Sequence, residues 1–154
     1  QIMAIVEKVS DLVKDYNDPT SREADPAQVR GRPIVAAGTV TNAATDSNGS
    51  SYHLLDLPSC AILDARTAFQ VQNTGFAAIR IGTKTDVDAL VSVLKSAGNV
   101  VSPIAQFDAN HGKPLWEVLG MAADPGGTIG LYQHAIADAT GAGSMLFEIH
   151  YRFR

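Results

Sequence analysis

The sequence predicts a mainly β domain, an antiparallel sandwich or barrel-like body preceded by an amphipathic helix and interrupted by one or two short helices. Three observations predict it. From Ile34 onward, apolar residues come in short runs separated by clusters of Gly, Asn, Asp, Ser and Pro, the punctuation of an all-β chain. The C-terminal stretch alternates, with Phe147, Ile149, Tyr151 and Phe153 on one face and Glu148, His150, Arg152 and Arg154 on the other, as a half-buried strand requires. Near the N-terminus the period changes. Ile2, Ile5, Val6, Val9, Leu12, Val13 and Tyr16 recur at helical spacing, with Glu7, Lys8, Asp11, Lys14 and Asp15 on the opposite side.

Taken in order, the helix is expected over residues 2–16 and stops at Asn17-Asp18-Pro19, because proline donates no hydrogen bond and pushes the residue before it out of helical space. Its seam of Ile2, Ile5, Val9, Leu12 and Tyr16 follows heptad spacing. An isolated helix below about 15 residues is marginal in water, so the seam needs a surface, either the chain's own body or another subunit. Residues 1–19 are thus read as a helical unit, residues 20–32 as a polar extended arm containing Pro26 and Gly31, and residues 33–154 as the body.

Strands are expected at 34–42, 52–57, 61–72, 76–82, 100–107, 128–137 and 145–153. Residues 65–72 and 76–82 both alternate and are expected to pair as a hairpin through Asn73-Thr74-Gly75, with Gly75 at positive φ. One inserted helix is expected after Thr85, which forms an acidic capping box with Asp88 ahead of Val87, Leu90, Val91 and Leu94, and it stops at Gly98-Asn99. A second, over residues 114–121, starts on Pro114 and carries Trp116, an aromatic expected to cap the barrel mouth or meet a partner. Residues 45–51 and 139–144 are loops of small polar residues, expected to be mobile in the free protein and to order on binding.

At 154 residues, 45% of them hydrophobic, the chain can bury a core without metals or disulfides. Charged residues make up 18%, below the roughly 25% of an average soluble domain, so much of the surface is Ala, Ser, Thr, Asn and Gly, which suits contact with other proteins. The net charge is -4 and the Lys and Arg residues are scattered, leaving no basic stripe to follow a run of phosphates; no nucleic-acid partner is expected. No apolar run approaches the roughly 18 residues of a membrane span, and the N-terminal stretch lacks a signal-peptide pattern, so neither membrane insertion nor export is expected. Cys60 is the single cysteine, which excludes an intramolecular disulfide, and within Pro58-Ser59-Cys60-Ala61-Ile62 it reads as a small core residue at a strand start.

His53, His111, His134 and His150 include no pair at i, i+2 or i, i+4, so neither a metal site nor a cofactor is expected. His134 and His150 fall in late strands that one sheet could make neighbours. Asp108-Ala109-Asn110-His111 offers Asp108 and Asn110 to a hard cation but lacks the further acidic ligands of a calcium loop, and an Asx turn explains it equally. Gly82-Thr83-Lys84-Thr85 lacks the upstream glycine of a phosphate loop, and no Gly-x-Ser-x-Gly is present. No constellation supports catalysis, and the chain is read as a non-enzyme. For glycan binding, Trp116 with Asp108 and Asn110 is the candidate cluster.

Tyr52-His53-Leu54-Leu55-Asp56-Leu57-Pro58, Ala61-Ile62-Leu63, Thr67-Ala68-Phe69, Ile79-Arg80-Ile81-Gly82-Thr83 and Asp86-Val87-Asp88-Ala89-Leu90, with the closing strand through Tyr151 and Arg154, together resemble the jelly-roll decoration or cement proteins of tailed bacteriophage capsids. The likeness covers about residues 50–95 and 145–154. It implies an antiparallel jelly-roll body and a virion protein, synthesised in the host cytoplasm, that sits on the capsid surface as a dimer or trimer. Its implied partners are the major capsid protein and copies of itself, and its implied role is to cement capsomers. A tail or fibre-base subunit, or a glycan-binding β-module, would carry the same pattern. The partner-binding candidates are Ile2, Ile5, Val9, Leu12 and Tyr16 on the helix, and Trp116. On this reading, deleting residues 1–19 leaves a folded body and weakens assembly, which circular dichroism and sedimentation of the truncated chain would check.

Overall fold

In the computed structural model, which describes residues 3–10 and 33–153, alternation sorts side chains onto the faces of two packed β-sheets. The strands are β1 (Glu7–Val9), β2 (Ile34–Asn42), β3 (Ser51–Pro58), β4 (Ile62–Leu63), β5 (Ala68–Gln70), β6 (Ala78–Gly82), β7 (Val91–Leu94), β8 (Val100–Val101), β9 (Thr128–His134) and β10 (Gly143–Arg152). A 3-10 turn spans Lys95–Ala97, and a short helix, α1, spans Leu115–Val118. The first sheet has the order β1-β3-β9-β6-β7; the second has the order β2-β10-β5-β8, with β4 also pairing on β10. Consecutive long strands therefore alternate between sheets, β2 to β3, β5 to β6 and β9 to β10.

The core lies between the two inner faces. From the second sheet come Val40, Phe69, Met145, Phe147 and Ile149; from the first come Tyr52, Leu55, Leu57, Ile79, Ile81 and Leu131. Fully burying one such side chain is worth roughly 1.5–3 kcal/mol. The β10 alternation holds to its end, with Met145, Phe147, Ile149 and Tyr151 buried and Leu146, Glu148 and Arg152 exposed. At one end α1 seals the core with Leu115, held by hydrogen bonds from Leu115 N to Ala61 O at 2.7 Å and from Trp116 N to Ser59 O at 3.2 Å. Pro114 stands at its N-cap, where the missing N–H costs nothing.

The expected N-terminal helix is corrected where it can be seen. Residues Glu7–Val9 form a strand that pairs in parallel with β3, with Glu7 opposite Ser51 and Val9 opposite His53. The remainder of residues 11–16, and the arm at 20–32, lie outside the described residues. The physical reason for a strand is local: Val6 and Val9 are β-branched, and the open edge of β3 offers a row of backbone partners. Ile5 and Val9, placed on the buried seam by the helical reading, are instead exposed at 70% and 52%.

The helix expected after Thr85 is also replaced. Val91–Leu94 form β7, antiparallel to β6, with Val91 opposite Ile81 and Val93 opposite Ile79. Here Val91 alternates into the core and Leu94 faces out, 59% exposed. The same residues satisfy a helical period and a strand period, and pairing against an apolar strand decides between them. The expected hairpin does not form either: β5 pairs with β10 and β8, whereas β6 pairs with β9 and β7. Asn73-Thr74-Gly75 crosses from one sheet to the other. Gly75 is required there by close approach and not by positive φ. A Cβ on it would collide with Gly141 O and Asn42 Nδ2. The expected strand at 100–107 is shortened to Val100–Val101.

Both loops read as mobile are pinned. Asn42 binds Gly141 O at 2.9 Å, Ala139 N donates to Asp46 O at 2.9 Å, and Thr140 N to Gly75 O at 2.8 Å. Asp46, only 2% exposed, is the centre of this end. Its carboxylate accepts from Lys8 Nζ at 3.1 Å, from Ala43 N at 3.1 Å and from the Tyr52 hydroxyl. Burial alone pushes the Asp46 carboxyl upward, but the hydrogen bonds from Tyr52, Lys8 and Ala43 outweigh it and hold the group below the usual carboxylate range. Burial and the adjacent Asp46 charge push the Tyr52 phenol up, so it remains a donor.

Asp46→Ala would leave the buried Tyr52 phenol and a backbone N–H without their acceptor and release the partly exposed Lys8, and is expected to cost about 2–4 kcal/mol in urea unfolding at neutral pH. Because the folded carboxyl titrates below its unfolded value, its contribution is complete above about pH 4 and is lost as pH falls through the depressed value. Wild-type and Asp46→Ala stabilities should therefore converge in acid. Deleting residues 1–19 removes β1 and Lys8 together, so the truncated body is now expected to be destabilised rather than unaffected, read from the same urea midpoint.

Candidate functional site

A bulge in β3 builds a polar cluster on the outer face of the first sheet. The β3–β9 register runs from Ser51 opposite His134 to His53 opposite Tyr132, then resumes with Leu55 opposite Leu131, leaving Leu54 as an extra residue. In a regular strand, residues three apart point to opposite faces. The extra residue brings His53 and Asp56 to the same outer face, while Leu54 and Leu55 are both buried. His53 Nε2 lies 2.8 Å from Asp56 Oδ1, and the His53 ring stacks on Tyr132 at 4.5 Å between centroids with planes 12° apart. Beyond Tyr132, at 6.1 Å, stands His134, whose Nε2–H donates to Thr83 O at 2.8 Å. Arg80, opposite His134 on β6, reaches Asp88 at 3.8 Å.

Gly130 makes the arrangement possible. It is opposite Asp56, and a Cβ on it would meet Asp56 Oδ1 and Tyr132 Cε1 at 3.0 Å and His53 Nε2 at 3.3 Å, tighter than ordinary contact. With no side chain at this position, Asp56, Tyr132 and His53 close in over its Cα, and a groove of about 360 Å³ runs beside them. It is lined by Thr128, Ile129, Gly130 and Tyr132 of β9, by Asp56, by Thr83 to Thr85, and by Met121 and Pro125. A wider, mostly apolar hollow of about 710 Å³ lies elsewhere, between Ala77, Leu94, Gly98 and Thr140.

The second sheet presents a different outer face. Register places Val35, Ala37, Thr39 and Thr41 of β2 beside His150, Glu148, Leu146 and Ser144 of β10, followed by Ala68 and Gln70 of β5 and Val100 of β8. Val35, Leu146 and Val100 are 53%, 49% and 57% exposed. Charge is confined to Glu148, 3.4 Å from His150, and to Arg152 at the strand end.

Of the residues singled out in the sequence, Ile2, Leu12 and Tyr16 lie outside the described residues. Ile5 and Val9 are exposed beside β1, and Trp116 is half-buried on α1, packed against the core. Asp108 accepts from Ala105 N and Asn110 N, each at 2.8 Å, and those backbone donors, Ala105 foremost, hold its carboxyl below the usual range; the Asx-turn reading accounts for the segment. His134 and His150 stand in different sheets, so no paired site forms. Cys60 is exposed, a correction to its expected burial: Ser59 and Ala61 turn inward on either side of it at the β3–β4 turn.

Among the described residues, no group of three or more His, Cys, Asp or Glu is placed to hold a metal, and no helix is long and apolar enough to cross a membrane. Comparison with protein-family models, with curated proteins and with solved structures finds no match to this chain. The His53–Asp56–Tyr132 cluster escaped the sequence reading because spacing alone puts His53 and Asp56 on opposite faces. The one signal was Gly130, a glycine between Ile129 and Leu131 in an otherwise continuous strand pattern.

Proposed function

We propose that the chain is a non-enzymatic structural protein of a tailed-bacteriophage virion, a jelly roll that binds the outside of the capsid and cements capsomers through contacts with the major capsid protein and with its own copies. The observation that carries this reading is the outer face of the β2-β10-β5-β8 sheet, low in charge and carrying exposed Val35, Leu146 and Val100. A hydrogen-bonded sheet face is suited to docking on another protein, because its backbone is already ordered and little entropy is lost when it is covered. The strand order supports the jelly roll: with β4 and β1 set aside, β2-β10-β5-β8 faces β3-β9-β6-β7, the arrangement two interlocked Greek keys would produce. The likeness of residues 50–95 to phage decoration proteins supports the virion assignment, and those residues supply β3, β5 and β6 at the centre of the body.

Repetition at symmetric positions would add avidity to a modest single interface. The test is binding of the purified chain to capsids lacking it, followed by electron cryomicroscopy of the decorated particles. Density at repeated positions on the shell is the expected result; density confined to the tail, or none on the particle, overturns it. Leu146→Glu changes an exposed position, so it should leave the melting temperature nearly unchanged and weaken capsid binding by about tenfold or more, measured by co-sedimentation.

A further inference from the structure

We infer that the groove over Gly130, on the sheet opposite the proposed capsid-facing surface, is a binding subsite for a neutral saccharide of one or two sugar rings. The inference does not depend on the cement reading, since the two use different sheets.

The groove is a built feature. The β3 bulge turns Asp56 to the side of His53, the His53 ring fixes Tyr132 by stacking, and Gly130 lets Asp56, Tyr132 and His53 approach within 3.0–3.3 Å of where a Cβ would stand. A bulge that re-aims a side chain and a glycine that permits this close approach meet at the same spot and set the wall of the groove.

The lining chemistry selects the ligand class. Asp56 Oδ1 is occupied by His53, and among the described residues Oδ2 carries no hydrogen bond, leaving a strong acceptor on one wall. Lys84, on the other wall, supplies a donor that makes no ion pair among the described residues. Thr85, Thr128 and Tyr132 add hydroxyls that both donate and accept. Met121 and Pro125 add apolar surface at the rim. Alternating donors and acceptors beside apolar patches match a pyranose ring, whose edge carries hydroxyls and whose faces carry C–H groups. A phosphate or an acidic sugar would face the Asp56 carboxylate with only Lys84 to offset it, and a metal ion would find one carboxylate. A volume of about 360 Å³ is at the lower end of the roughly 300–1,000 Å³ of small-ligand clefts, the scale of a mono- or disaccharide.

The experiment is an array carrying neutral and acidic glycans, followed by saturation-transfer NMR titration of the full chain with the best-bound neutral mono- or disaccharide. Two variants are compared with the wild type. Asp56→Asn keeps the shape and removes the charged acceptor; Gly130→Ala pushes Asp56, Tyr132 and His53 out of place. Neutral glycan binding that falls at least tenfold in Asp56→Asn, with an unchanged melting temperature, is the expected result. Gly130→Ala should abolish binding, and if it proves unstable the Asp56→Asn comparison decides alone. Absence of any glycan bound, binding restricted to acidic glycans, or neutral binding undiminished in Asp56→Asn would each overturn the inference. Capsid co-sedimentation of Asp56→Asn, expected at wild-type level, keeps failure here distinct from failure of the cement reading.

Discussion

The buried carboxylate of Asp46 is the constraint on which one end of the sandwich depends. A charge at 2% exposure is costly unless it is fully partnered, and its partners come from separate parts of the chain: Lys8 on β1, Tyr52 on β3, and the backbone of Ala43 just past β2. Its own carbonyl holds Ala139, between β9 and β10. The N-terminal strand, the β2–β3 connection with the start of β3, and the β9–β10 connection are thus tied together by one residue in a loop. The β2–β3 connection, composed of small polar residues, is fixed in the same way: Ser50 is buried and its Oγ accepts from Val6 N at 3.0 Å, so its polarity serves the edge strand and not the solvent.

What was legible in the sequence was whatever depended on a period of two. β2 begins and ends where the apolar run does, and β10 keeps its alternation from Met145 to Tyr151, because each of these strands has one face on the core and one outside. The errors arose where two periods coincide or where pairing is remote. Val91 and Leu94 fit a helix as well as a strand, and only the presence of β6 alongside selects the strand. The N-terminal apolar residues fit a heptad, but at Glu7–Val9 the edge of β3 captures them. The hairpin expectation failed because adjacent alternating segments usually pair, whereas here the chain changes sheets between them. The bulge at Leu54 has no local signature at all, which is why the groove beside it was invisible without coordinates.

The two outer faces divide the surface chemically. One is nearly uncharged, the other carries a histidine–tyrosine–histidine ladder flanked by Asp56, Arg80 and Lys84. Neither contributes to the core, so each can change by substitution without disturbing the packing between Phe69, Phe147, Leu55 and Ile81. That separation lets one small β body serve two contacts at once, with the sandwich as a rigid spacer.

The position of β10 has a consequence for synthesis. It is the latest strand in chain order, yet it lies in the interior of the second sheet, pairing with β2 on one side and with β4 and β5 on the other. Among the described residues β2 pairs with β10 and with no other strand, so until residues 143–152 have left the ribosome its nine residues await that partner. Pairings this far apart in sequence close slowly, since the entropy of the intervening loop is lost before any contact repays it. The nascent chain therefore passes through an interval in which apolar strands wait unpaired, and the speed with which β10 arrives governs how much of the product folds and how much aggregates.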